Sequence, residues 1–185
     1  MLIQLQLNAR NATLNNLNTR TEKAGDADVP AADLNFLMNA GREILDTISP
    51  SLKTDFFNEN GPRDLADGVP LKHPEVKGPL DIEGEMTGAK LIIAAGVGKP
   101  MELHDVKITK FKFTPMEGGT VTLGFQVQCK PDDKQIGRLY GLQKQSVEIG
   151  VVPAELPEMQ DGDQPQPPAS KKKSVPKADN GATLQ

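Results

Sequence analysis

Apolar and polar residues alternate from 101 to 114 and again from 120 to 129, where Val121, Leu123, Phe125, Val127 and Cys129 fall on one face. A period of two marks a strand with one buried side. The residues between, 115–119, end in Gly118-Gly119 and read as a turn. Residues 131–144 shift to helical spacing through Ile136 and Leu139, and 146–152 return to alternation. The second half therefore predicts strand, turn, strand, helix, strand.

A fainter copy of this pattern lies near the N-terminus. Leu7, Leu14 and Leu17 match Met101, Ile108 and Phe111, and Leu34, Phe36 and Met38 match Phe125, Val127 and Cys129. Leu45 and Ile48 continue the match onto Ile136 and Leu139, helix-face positions three apart. The pattern fits an internal duplication, and it equally fits two independent strand–strand–helix units. In both copies the apolar residue steps by three, Leu14 to Leu17 and Ile108 to Phe111. An odd step within a strand moves the side chain to the other face, so a bulge or sharp twist is expected at each.

The remaining segments fill in an α+β reading. Residues 19–28 are charged, contain Gly25 and read as an exposed loop. A helix over 41–57 is interrupted at Ser49-Pro50, where Ser49 can cap a new turn. Residues 58–79, rich in Pro and Gly, read as a connector, and 80–98 as a central hairpin around Thr87-Gly88-Ala89. The expected fold is two ββα-type units, about 1–57 and 99–153, joined by that hairpin, with mostly antiparallel sheet on two short helices. Residues 154–185 hold Pro157, Pro165, Pro167, Pro168 and Pro176 and almost no large apolar side chain, so a disordered tail is expected after a single domain over 1–153.

Charge and cysteine content narrow the function. The net charge is −4. The tail's five acids and four lysines account for −1, leaving −3 on the body. A mildly acidic body argues against a dominant duplex-DNA role, though not against a local basic face. Cys129 is the single cysteine, which excludes an intramolecular disulfide and suits a reducing cytosol. Residues 1–4 show neither the basic region nor the apolar run of a signal peptide, and no apolar stretch reaches membrane-spanning length. A cytoplasmic location is therefore expected, with no membrane partner.

Candidate chemistry is sparse. Asp81, Glu83 and Glu85 share a strand face and could hold a hard cation, but no second carboxylate cluster or metal-motif spacing accompanies them, and the preferred reading is a solvated sheet face opposite Leu80, Ile82 and Met86. His104 and Asp105 are neighbours, and neighbours on a strand point to opposite sides. Cys129 sits on an apolar strand face, the place of a small hydrophobe rather than a nucleophile. The run from Ala94 to Pro100 contains Gly98-Lys99 but has Ile93 where a phosphate loop needs glycine and Pro100 where it needs Ser or Thr. No catalytic group, metal or cofactor is implied, and an enzyme is not expected.

One binding pattern stands out. Lys107, Lys110 and Lys112 interleave with Phe111 and Phe113, an arrangement with which strands hold single-stranded nucleic acid through phosphates and stacked bases. Lys130, Lys134, Arg138 and Lys144 could extend it. The other reading places both rings in the core, with the lysines protecting a strand edge. Lys107, Lys110, Lys112 and Arg138 are the candidate nucleic-acid contacts.

The strings Asp105-Val106-Lys107-Ile108-Thr109-Lys110-Phe111, Glu117-Gly118-Gly119-Thr120-Val121, Phe125-Gln126-Val127-Gln128-Cys129 and Ile136-Gly137-Arg138-Leu139 resemble a group of accessory proteins encoded by tailed bacteriophages and prophages. So do Asn11-Ala12-Thr13-Leu14 and Arg20-Thr21-Glu22-Lys23. The resemblance spans most of 1–153 and carries no catalytic motif. It implies a small protein of the host bacterial cytosol, made during infection or carried by a prophage, from genes that often lie among replication, recombination or host-takeover genes. With no catalytic constellation in the chain, the expected function is binding, in phage DNA replication or recombination, on nucleic acid or a phage or host DNA-processing protein. The alternatives are an inhibitor of a host defence or regulatory protein and a virion structural component. Exposed edge strands would permit a dimer without specifying one.

Overall fold

The computed structural model describes residues 3–58, 68–96 and 98–154. Seven strands run in chain order: β1 (Leu7–Ala24), β2 (Ala27–Gly41), β3 (Leu80–Ile82), β4 (Met86–Ala94), β5 (Met101–Met116), β6 (Thr120–Cys129) and β7 (Ser146–Val152). A 3-10 helix (Arg42–Thr47) and α1 (Leu52–Phe56) follow β2, and α2 (Asp133–Leu142) joins β6 to β7.

Neighbours in the sheet run β5-β4-β7-β1-β2-β6, and β6 pairs back onto β5. Every pairing is antiparallel, so the six strands close into a barrel, with β3 added beside the far half of β5. This overturns the expected α+β fold of two ββα-type units on an open sheet. Strand exceeds helix 57% to 17%, and the barrel rather than a helix layer buries the core. The two units are also unequal: β6 is followed by a ten-residue α-helix, β2 by a 3-10 helix and a five-residue α1. The expected central hairpin is absent as well. Residues 86–94 form one strand, with Gly88 at φ +71° where a turn was expected, and β3 pairs with β5 instead of β4.

Bulges let so few strands close, because each adds local twist and bends its strand. Register shifts fall between Leu14 and Asn16 and between Thr109 and Lys112, where the two odd apolar steps lie. Lys110 and Asp105 take left-handed backbone, φ +53° and +51°, at two bends of β5. Between them β5 turns enough to pair with β4 on one edge and β6 on the other.

A six-stranded barrel is too narrow to hold anything but its own side chains. Leu14, Phe36, Leu91, Ile108, Phe125 and Ile149, one from each barrel strand, belong to a single buried cluster. Phe125 packs between Phe36 and Phe111, with centroids at 5.7 and 6.3 Å. α2 covers one end with Leu139, its start fixed by a reciprocal cap between Asp132 and Gln135. Leu45, Ile48 and Phe57 close the other, where Phe56 meets Phe113 edge-on at 5.1 Å.

The expected loop over 19–28 is a two-stranded ribbon. β1 and β2 pair from Thr13↔Leu37 to Ala24↔Ala27, and past Ala32 they pair only with each other among the described residues. Gly25, at φ +65°, makes the tight turn at its tip. The part of the connector at 59–67 and the tail from 155 onward lie outside the described residues.

Candidate nucleic-acid interface

The alternation of β5 decides which way its side chains face. Phe111 and Phe113 are 0% and 2% exposed, inside the barrel. Neither ring can stack on a base. Lys107, Lys110 and Lys112 therefore share the outward face, with Lys110 turned outward by its own bulge. The structure thus joins the three strand lysines and separates them from their intended aromatic partners.

Arg138 does not belong with them. It lies on α2 and donates from Nη2 to the Lys99 carbonyl at 3.0 Å, beside the start of β5. That start lies nine residues along β5 from Lys110, a separation of at most roughly 30 Å. The cation that does join the strand lysines is Lys130, at the end of β6, because Lys107 opposes Gln128 across the β5–β6 ladder. Lys107, Gln128 and Lys130 line an open groove of about 330 Å³ together with Arg20 and Glu22 of the ribbon. Arg20 escapes sequence reasoning because its segment lacks apolar alternation and reads as a loop.

Most of these cations are paired. Arg20 forms ion pairs with Asp33 and, at 2.6 Å, with Glu22, and Lys130 stands 4.0 Å from Glu22. Lys107 meets Glu85 at 2.6 Å and Lys112 meets Asp81 at 3.1 Å. The hydrogen bond from Lys107 holds the Glu85 carboxyl below the usual carboxylate range. No ion pair of Lys110 occurs among the described residues. The three alternating carboxylates of 81–85 are thus two lysine partners and one exposed acid, Glu83, rather than a cation site. Among the described residues no cluster of His, Cys, Asp and Glu could hold a metal.

His104 and Cys129 also line the groove, yet they do not form a nucleophile–base pair. The Cys129 thiol is buried and donates to the Ala32 carbonyl at 3.6 Å. Burial first, and then the charge of Asp33, push its pKa up to about 12, so it stays a thiol at neutral pH. The His104 imidazole is well exposed and faces Glu102 at 3.6 Å.

Fold and surface together define a small closed antiparallel β-barrel with a filled interior and a lysine-bearing outer face. No helix among the described residues is long and apolar enough to cross a membrane. Comparison with family models, curated proteins and solved structures finds no match.

Proposed function

We propose that the protein is a non-enzymatic accessory protein of a phage or prophage that acts by binding, and that the outer face of β5 and β6 contacts the phosphates of single-stranded nucleic acid during DNA replication or recombination. The observation carrying this reading is the row of Lys107, Lys110 and Lys112 on one outward strand face, continued by Lys130 just past the end of β6. Gln128 and Thr109 stand between these lysines as half-buried hydrogen-bonding groups. Small barrels of the OB type present an outer strand face to oligonucleotides, an analogy of architecture alone. With the phenylalanines inside, contact is electrostatic and tolerant of sequence.

Fluorescence anisotropy with labelled oligo(dT) tests this. Binding should weaken with salt at a log–log slope of about −0.7 for each phosphate contacted, so at most roughly −3 for the four lysines. Lys110→Glu is the cleanest variant, since no ion pair of this residue occurs among the described residues, and should weaken binding roughly tenfold. Binding that ignores both salt and this substitution would refute the reading.

A second reading draws on the ribbon. Past Ala32 its two strands have outer edges that no strand among the described residues covers. Such edges accept a further strand from a protein partner, as an inhibitor of a host protein would use them. A salt-insensitive complex lost on deleting the ribbon tip would favour it.

A further inference from the structure

Two lysines of the proposed face are already held by acids from one short stretch of chain. Asp81 lies in β3, directly opposite Lys112 in the ladder, and Glu85 lies in the irregular step between β3 and β4. Asp81, Glu83 and Glu85 thus set three negative charges on one short stretch beside the lysine row. We propose that Asp81 and Glu85 act as an internal stand-in for phosphate, occupying Lys107 and Lys112 until a polyanion displaces them. This rests on the reading of β5 as a phosphate-contacting face and adds its regulation.

The geometry supports exchange rather than a fixed structural bridge. All four side chains are at least two-fifths exposed, so solvent screens both pairs. β3 is three residues long and, among the described residues, its ladder is to β5 alone. Residues 83 and 84 lie outside any strand and Glu85 is held only by a bridge, its carbonyl accepting from the Ile3 amide at 3.1 Å, so the backbone there is pinned at one point rather than along a continuous ladder and exchange needs only the Glu85 side chain to turn. The Lys107 contact lowers the pKa of the Glu85 carboxyl, the mark of an acid that interacts with this lysine. Lys110, without an ion pair among the described residues, would make first contact, and Lys107 and Lys112 would follow as their acids turn to solvent.

Displacement leaves a signature in salt dependence. A lysine leaving a carboxylate for a phosphate exposes that carboxylate, which gathers a counterion and cancels part of the release from nucleic acid. Neutral replacements should therefore tighten binding and steepen its salt slope. The experiment compares the full chain, Asp81→Asn/Glu85→Gln, and a control of equal charge change, Asp55→Asn/Glu148→Gln, for oligo(dT) binding at about 50 to 200 mM salt. A thermal melt of each confirms folding.

The expected result is about tenfold tighter binding for Asp81→Asn/Glu85→Gln at the lowest salt, a slope steeper by roughly one unit, and a change within about twofold for the control. If the double variant behaves like the control while Lys110→Glu still weakens binding, the stand-in is refuted and the phosphate-contacting face stands. If neither the parent nor the double variant binds at the lowest salt, the face itself is refuted, and the stand-in with it.

Discussion

Replacing Phe111 by alanine separates a core ring from a binding ring. Its side chain is fully buried and packs on Phe125 at 6.3 Å. Removing a buried phenylalanine costs about 3–5 kcal/mol, from lost transfer energy and the cavity left behind. The wall here resists collapse, because the strand is fixed by ladders on both edges: Ile82 opposes Phe111 on one, and Lys112 and Phe113 oppose Gly124 and Leu123 on the other. The upper half of that range, about 4–5 kcal/mol, is therefore expected. Against a total of about 5–15 kcal/mol for a domain, this is about a quarter or more of the stability. At about 2–4 °C per kcal/mol for this chain length, the melting temperature should fall by roughly 8–20 °C. Urea unfolding followed by circular dichroism measures the free energy, and a thermal scan measures the shift. Phe111→Leu, which keeps most of the volume, should recover more than half of the loss. If Phe111→Ala unfolds within about 0.5 kcal/mol of the parent yet loses oligonucleotide binding, the ring faces ligand and the inward assignment of β5 is wrong.

Other substitutions probe other parts of the fold. Cys129, with its pKa raised to about 12 in the folded chain against an ordinary value of 9.0, contributes stability that is fully present below pH 9 and lost as pH rises toward 12; urea titrations across that window should show the decline. At pH 8 its reaction with a thiol reagent should be at least about a hundredfold slower in the native protein than in denaturant, and equal rates would refute its burial. Asp132→Ala removes the acceptor for the Gln135 amide and should cost about 1 kcal/mol in a thermal melt, with the loss confined to the α2 end of the barrel in hydrogen exchange. Gly68→Ala would place a methyl 2.8 Å from the Gly118 backbone at φ +71°, so a loss of about 2 kcal/mol or more is expected by urea unfolding.

What the pattern along the chain reveals is local, and what it hides is pairing. The bounds 120–129 and 146–152 coincide with β6 and β7 because alternation there is one-sided and strict. The odd steps at Leu14–Leu17 and Ile108–Phe111 locate two register shifts, since a side chain cannot stay inside across an odd interval without a bulge. Closure is invisible at this level: it depends on β6 returning to β5 while β7 bridges β4 and β1, contacts far apart in sequence. The ribbon reads as a loop because both its faces are largely polar, as suits a projection from a barrel. Gly88 mimics a hairpin turn because the left-handed backbone a turn needs is also what a bulge uses. On the candidate face, the lysines are legible but their partners are not. Asp81 and Glu85 become ion-pair acids only through the β3–β5 register, which no periodicity encodes.

The pairing of Leu7 with Val151 sets an order of events at the ribosome. The strand that emerges first cannot gain that neighbour until the last one has left the exit tunnel, roughly 140 residues and some 10–30 seconds of translation later. Until then neither ladder of β7, to β1 or to β4, can form, so the ring has a gap between those two strands, and a chain truncated before Ser146 would lack the piece that joins them.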